Sequence, residues 1–313
     1  MALSKLSGDE QGIILGQLRN TLEPRLAMYF SSANKELRAL LTPAVQQQLR
    51  TDYEAATALC LKMGMGCKEL REATKVDWRD NGLSAADLAT LAKLGSLLPA
   101  LGWLVLIEPS GSAGPDGVSR LAEGLVARSL PAVTHLELDA MHMSNEGGSA
   151  LAAALDRGAL PRLESLMLPG AAIGDAGLAA LAPALRRRPA LESLRLWRNP
   201  LGDEGLAALV APPLAAGSPP PTAGGLKKLK VLDLDRTEIT DAGCAALVAA
   251  LDSGALPALT QLELEGIPAS HEAQEAVRVA RERSYYYYGA REYGYSGVND
   301  GDDDEVEAAV AIA

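Results

Sequence analysis

Leucines recur along this chain in one fixed arrangement. Pro161–Leu168, Pro189–Leu196 and Pro257–Leu264 all read P-x-L-x-x-L-x-L; Pro99–Leu106 matches in full, and Pro131–Leu138 differs by Val133 in the third place. Leu226–Leu234 keeps the leucines with Lys227 where the proline stands, and a weaker copy lies around Val76-Asp77-Trp78. The penultimate apolar positions are Val76, Leu104, Leu136, Leu166, Leu194, Leu232 and Leu262, spaced by 28, 32, 30, 28, 38 and 30 residues. The alternation L-x-L is the pattern of a strand with one buried face. After each strand comes an alanine- and leucine-rich run in which, for example, Leu178, Leu181 and Leu185 make one helical stripe. Asn145, Asp175, Asp203 and Asp241 stand just before these runs, where helix N-caps are expected. Cys244 occupies the place of Leu178 and Leu206 and is expected to be a buried packing residue.

A strand and a helix repeating about every thirty residues predicts a solenoid rather than a single irregular core. The units resemble the ribonuclease-inhibitor class of leucine-rich repeats, L-x-x-L-x-L-x-x-N-x-L followed by a helix, over roughly residues 76 to 280. That resemblance implies an α/β solenoid with a parallel β-sheet on the concave face and α-helices on the convex one. It also implies a non-catalytic protein that binds a protein partner. About seven repeats fit within residues 73–283, and the longest spacing holds a proline-rich insertion at 211–225. The ladder asparagine of the class falls at Asn81 and Asn199, whereas Met141, Ala171, Thr237 and Ile267 stand in other copies, whose loops are expected to be bonded differently.

Neighbouring strand residues face opposite ways, so the residues between the buried leucines line the concave surface. One row is Asp77, Val105, Glu137, Met167, Arg195, Asp233 and Glu263; the next is Arg79, Ile107, Asp139, Pro169, Trp197, Asp235 and Glu265; a third holds Trp103, His135, Ser165, Ser193, Val231 and Gln261. Carboxylates Glu137, Asp139, Asp233, Asp235, Glu263 and Glu265 form an acidic face suited to a basic partner. Arg195 and Trp197 beside it, with Trp103, are the residue types that anchor interfaces. Trp197 reads as a projecting ring, or alternatively as one folded over Arg198 or the next rung. Asp233/Asp235 and Glu263/Glu265 sit close enough to chelate a cation, although no calcium-loop spacing accompanies them.

Residues 1–72 do not repeat. They predict helices over 9–22, 24–41 and 43–63, an all-α cap for the first repeat. Leu22–Leu41, with L-x-P-R and S-x-x-x-K-x-L-R-x-L, resembles the middle of an F-box. That likeness implies docking on the Skp adaptor of cullin-type ubiquitin ligases through Pro24, Leu26, Phe30 and Leu37, in a substrate receptor. The F-box's usual Leu-Pro opening and closing tryptophan are missing. Residues 284–313, rich in Tyr, Gly and Asp, read as a disordered tail.

Composition narrows the partners. Hydrophobic residues make up 48% of the chain but aromatics only 4%, so leucine and alanine carry the core. A net charge of −11 and pI near 4.9 oppose nucleic acid as main partner. No apolar run reaches membrane-spanning length. Three cysteines and no apolar leader suit a cytoplasmic or nuclear setting. Scattered histidines and the absence of nucleophile or phosphate-loop motifs predict no enzyme and no cofactor. A Ran-type GTPase activator is a further reading; it rests on Arg198-Asn199. The run Arg186–Arg188, at a helix end, reads as a solvated face rather than a nuclear-import signal.

Overall fold

The computed structural model describes Leu22 and residues 42–114, 116–210 and 225–286. Seven strands form one parallel sheet in sequence order: β1 (Lys75–Arg79), β2 (Trp103–Ile107), β3 (His135–Asp139), β4 (Ser165–Met167), β5 (Ser193–Arg195), β6 (Val231–Asp233) and β7 (Gln261–Glu263). The register pairs Val76, Leu104, Leu136, Leu166, Leu194, Leu232 and Leu262 rung by rung. Two helices precede the sheet, α1 (Pro43–Lys62) and α2 (Cys67–Glu72). Between and after the strands run α3 (Ala85–Leu94), α4 (Gly117–Gly124), α5 (Ser144–Asp156), α6 (Asp175–Arg186), α7 (Asp203–Val210), α8 (Asp241–Asp252) and α9 (His271–Ser284). α1 packs on α2 and α3, and from α3 onward each helix packs on the next, as the strands do. The result is an α/β leucine-rich-repeat solenoid.

The core is a ladder of leucines. Leu104, Leu136, Leu166, Leu194 and Leu232 are buried, with Leu178, Leu181 and Leu185 behind them; Cys244 joins them as expected. Burial pushes the Cys244 thiol up. At the amino end, Leu22, Ala56, Leu59, Cys60 and Leu70 continue the same core onto Val76 and Trp78. Lys62 fastens α1 to the first rung through the Gly82 carbonyl at 2.5 Å and Asp87 at 2.7 Å, and Lys93 reaches Asp52 at 2.9 Å. Cys60, next to Cys67, is pushed up to about 12 by burial first and Cys67 second, so it stays a protonated packing residue.

The Asp and Asn residues expected as caps of their own helices do something else. Asp175 and Asp241 are the first residues of α6 and α8, after N-caps Gly174 and Thr240, and Asn145 already lies inside α5. Each reaches forward to the following repeat. Asn145 Oδ1 accepts from Gly174 and Gly177 N–H at 2.9 and 3.0 Å, and Asp175 Oδ1 from Gly202 and Gly205 at 2.7 and 2.9 Å. Asp203 accepts from Thr240 N–H at 2.8 Å, and Asp241 from Ser270 N–H at 2.6 Å. N–H groups at one helix start are thus satisfied by a side-chain oxygen of the rung before, and where that residue is Asp the helix dipole also favours its negative charge. The approach requires glycine: a Cβ on Gly205 would lie 2.7 Å from Asp175 Oδ1, and one on Gly243 2.3 Å from Asp203 Oδ1. Asp175→Ala is expected to cost about 1–2 kcal/mol, read as a lowered urea midpoint; an unchanged midpoint would show the ladder to be incidental.

The loops leaving the strands turn in a common way. Asp80, Ala140, Gly170, Arg198, Arg236 and Gly266 all have positive φ, four residues after the marker position. The ladder residues beyond them differ. Asn199 is 2% exposed and joins two rungs: its Oδ1 accepts from Ile173 N–H at 3.0 Å, and its amide donates to the Leu168 and Leu196 carbonyls at 2.7 and 2.8 Å. Thr237 substitutes in part, donating to the Leu234 carbonyl at 2.7 Å. Asn81, by contrast, is exposed, because no earlier rung stands beside β1. In the second repeat a fully buried Glu108 takes the same part, accepting from Leu83 N–H at 2.9 Å and from Ser110 and Ser112 hydroxyls.

The run Arg186–Arg188 is more structural than expected. Arg188 donates to the Leu155 carbonyl and Arg186 to the Ala208 carbonyl, both on neighbouring helices. Burial lowers both guanidinium pKa values. Only Arg187 fits a surface reading, paired with Asp156 at 2.6 Å. The expected helices over 9–22 and 24–41 lie outside the described residues apart from Leu22, as do the insertion apart from Gly225 and the tail beyond Tyr286.

Candidate concave binding face

The sheet register assembles the expected rows. Asp77, Val105, Glu137, Met167, Arg195, Asp233 and Glu263 are successive partners across all seven strands. Arg79, Ile107 and Asp139 pair alongside; beyond β3, Pro169, Trp197, Asp235 and Glu265 follow the strand ends, joined by backbone bonds such as Gly170 N–H to Trp197 O and Arg198 N–H to Asp235 O. Lys75, Trp103, His135, Ser165, Ser193, Val231 and Gln261 form the third row.

Exposure within the rows departs from expectation in places. Val105 and Pro169 are buried, being short side chains between longer neighbours. Trp197 is half-buried rather than projecting, and the exposed indole is that of Trp103, 43% accessible. The reason is local: β5 ends at Arg195, so strand alternation no longer directs a side chain two residues later. Trp103 stacks on His135 with ring centroids 3.7 Å apart and planes 6° from parallel, and Lys75 Nζ lies 5.9 Å from the Trp103 ring centre. Thr134 Oγ1 holds His135 Nδ1 at 2.8 Å. Burial pushes the His135 imidazole down, with Glu164 opposing, so the stack is uncharged at neutral pH. Sequence rows had already placed both rings on adjacent strands; the stacking itself needs side-chain geometry.

The carboxylates fall into two patches. Toward the amino end lie Asp77, Glu137 and Asp139; toward the carboxyl end lie Asp233, Asp235, Glu263 and Glu265, with Met167, Arg195 and Trp197 between them. Asp77 has cations close by, Arg79 Nε at 2.6 Å and Lys75 at 3.4 Å, and the Arg79 hydrogen bond holds it below the usual carboxylate range. Glu137, Asp139 and Asp233 are in no ion pair among the described residues: burial, ahead of the arginines and every other neighbouring charge, pushes all three up. Asp139 and Glu137 repel each other, as do Asp233 and both Asp235 and Glu263. Arg195 and Asp233 form no ion pair among the described residues; Arg195 acts at longer range, and burial outweighs it. Asp235 Oδ1 is engaged structurally, accepting from Glu265 N–H at 2.6 Å. Glu263 is half-buried and Glu265 exposed.

Other expectations meet the geometry less well. Pro24, Leu26, Phe30 and Leu37 lie outside the described residues. Arg198 is exposed, but Asn199, its partner in the GTPase-activator reading, is sealed inside with its amide committed to backbone. No group of three or more His, Cys, Asp or Glu side chains among the described residues is arranged to hold a metal ion. No helix among them is long and apolar enough to cross a membrane.

The fold is that of a leucine-rich-repeat solenoid. The Leucine Rich repeat family model matches residues 189–210 and 225–248, the fifth repeat and the sixth. Among solved structures the chain is similar to Leiomodin-1 Actin-Binding Site 2, with 15% identity over 47% of this chain and 93% of that one, at a TM-score of 0.33. It is similar to the tropomodulin C-terminal domain from Caenorhabditis elegans, with 13% identity over 78% and 98% and a TM-score of 0.31. It is also similar to internalin C2 from Listeria monocytogenes, with 17% identity over 71% and 88% and a TM-score of 0.36. A comparison with curated proteins gives no match.

Proposed function

We propose that the protein is a non-catalytic interaction module whose concave face holds a basic, extended segment of a protein partner. One observation carries this reading. Glu137, Asp139 and Asp233 are partly buried carboxylates whose desolvation exceeds the compensation from nearby arginines. Such groups gain most from an incoming cation, because attraction strengthens where water is already reduced. The Trp103–His135 stack beside the first patch supplies a flat apolar anchor of the kind that dominates interface energetics. The helix in every return segment and the repeat length support the ribonuclease-inhibitor class. Three free cysteines, Cys60, Cys67 and Cys244, support a reducing cytoplasmic or nuclear setting.

The test is titration of the full chain with a lysine- and arginine-rich peptide carrying one aromatic residue, against a neutral peptide of equal length. The basic peptide is expected to bind and the neutral one not. Trp103→Ala is expected to weaken binding by about tenfold or more while costing only about 1 kcal/mol of stability, the worth of the lost stack on His135. Equal affinity for the two peptides removes the acidic-face assignment; a Trp103→Ala chain that binds as well as the parent removes the anchor.

The substrate-receptor reading rests on Leu22–Leu41. Recovery of the Skp adaptor with the full chain, and its loss in Pro24→Ala/Phe30→Ala, supports it; a clean negative leaves residues 1–72 as a cap.

A further inference from the structure

Two of the three cysteines meet at the joint between α1 and α2. Cys60 lies in the last turn of α1 and Cys67 is the first residue of α2. Between them the chain reverses sharply: Gly64 has a φ of 68°, and Met65 N–H donates to the Cys60 carbonyl at 2.9 Å. The turn carries Cys67 back onto α1, where its Sγ lies 3.8 Å from Thr57 Oγ1. Thr57 precedes Cys60 by three residues, so both lie on one face of α1. Cys67 packs on the core cluster that contains Cys60, and the two thiols share a hydrogen bond. Cys244, in α8, is enclosed on its own.

The two sulfurs differ in access. Cys67 is half-buried, whereas Cys60 is 1% exposed. A dissolved reagent therefore meets Cys67 first, and Cys60 stays a protonated thiol against anything that must reach it from solvent.

We propose that Cys60 and Cys67 are a reversible dithiol–disulfide site oxidised by hydrogen peroxide, with Cys67 the attacking sulfur and Cys60 the resolving one. The Cys67 thiolate attacks one peroxide oxygen, the O–O bond breaks, and the departing hydroxide leaves as water with the proton Cys67 gave up. Cys67 is then a sulfenic acid. Cys60 Sγ attacks the Cys67 sulfur, the S–O bond breaks, and the second hydroxide takes the Cys60 proton to leave as water. Two thiols lose two electrons and two protons, and the peroxide gains both. Being held against its partner offsets the small thiolate fraction of Cys60 in the second step. Six residues separate the cysteines, so the bond closes a short ring that ties α2 to α1 and braces the cap over the first rung. In a reducing compartment the bond is transient, as a responsive site requires.

The test treats the folded full chain with hydrogen peroxide, alkylates the remaining thiols in denaturant and locates them by mass spectrometry. Peptides holding Cys60 and Cys67 are expected to be joined and two hydrogens lighter, with Cys244 alkylated and both thiols restored by dithiothreitol. In Cys67→Ser, Cys60 is expected to oxidise about tenfold or more slowly than in the parent. In Cys60→Ser, Cys67 is expected to run on to sulfinic acid. The proposal fails if Cys67 of the parent reaches sulfinic acid while Cys60 is still alkylated, or if Cys67 links instead to a second copy of the chain. Loss of Cys244 at the same rate as the pair also overturns it, since the reaction would then follow general opening of the fold.

Discussion

Asn199→Ala is expected to destabilise the protein by roughly 3 kcal/mol or more. The side chain closes hydrogen bonds from Ile173 N–H and to the Leu168 and Leu196 carbonyls, and a weaker one to Trp197 O at 3.4 Å. At 2% exposure no water replaces it, so alanine leaves one N–H and two carbonyls unpaired inside a central rung. Asn199→Asp offers a control: its carboxylate still accepts from Ile173 but sets negative charge against two carbonyl oxygens, so it too is destabilising. Thr237→Ala, which forfeits one bond to Leu234 O, is expected to cost about 1 kcal/mol. Urea midpoints for the three variants check the ranking. Asn199→Ala matching Thr237→Ala would mean that the two-rung bridge contributes no more than one ordinary bond.

That contrast also shows what the sequence could and could not reveal. The leucine spacing fixes strand order and register, because a one-residue slip would turn every leucine to water. Asn199 was recognisable from the motif, and Thr237 as its replacement. Glu108 was not: the second repeat's loop is longer, so its surrogate sits one place earlier and is a charged type rarely buried. The aspartates at the helix starts were visible, yet their partners lie 27 to 37 residues away in the next repeat, beyond any local capping rule. On the concave face, alternation sorted residues by side correctly and failed at depth. Side does not determine exposure once a strand ends, as Trp197 shows, or where a short residue sits between long ones, as Val105 shows.

Replacing Glu137, Asp139 and Asp233 together by Gln, Asn and Asn is expected to move binding and stability in opposite directions. Each carboxylate is held above its ordinary pKa by burial. Between the unfolded and folded pKa values the native state therefore binds more protons, and stability falls as pH rises through that window. Below the unfolded values these groups favour the fold; above the raised folded values that contribution is gone and they sit desolvated and charged. The neutral variant should thus have a higher urea midpoint than the parent at pH 7.5 and the same midpoint near pH 3. Its affinity for a basic peptide at pH 7.5 should drop by about tenfold or more, and the parent's own affinity should fall as pH is lowered through the same window. A face selected for fold stability alone would not keep charges that oppose folding, so this pairing of gain and loss distinguishes a binding surface from a solvated one. A variant that loses stability at pH 7.5, or binds the peptide as tightly as the parent, would refute the idea that these three acids are held ready for a cationic partner.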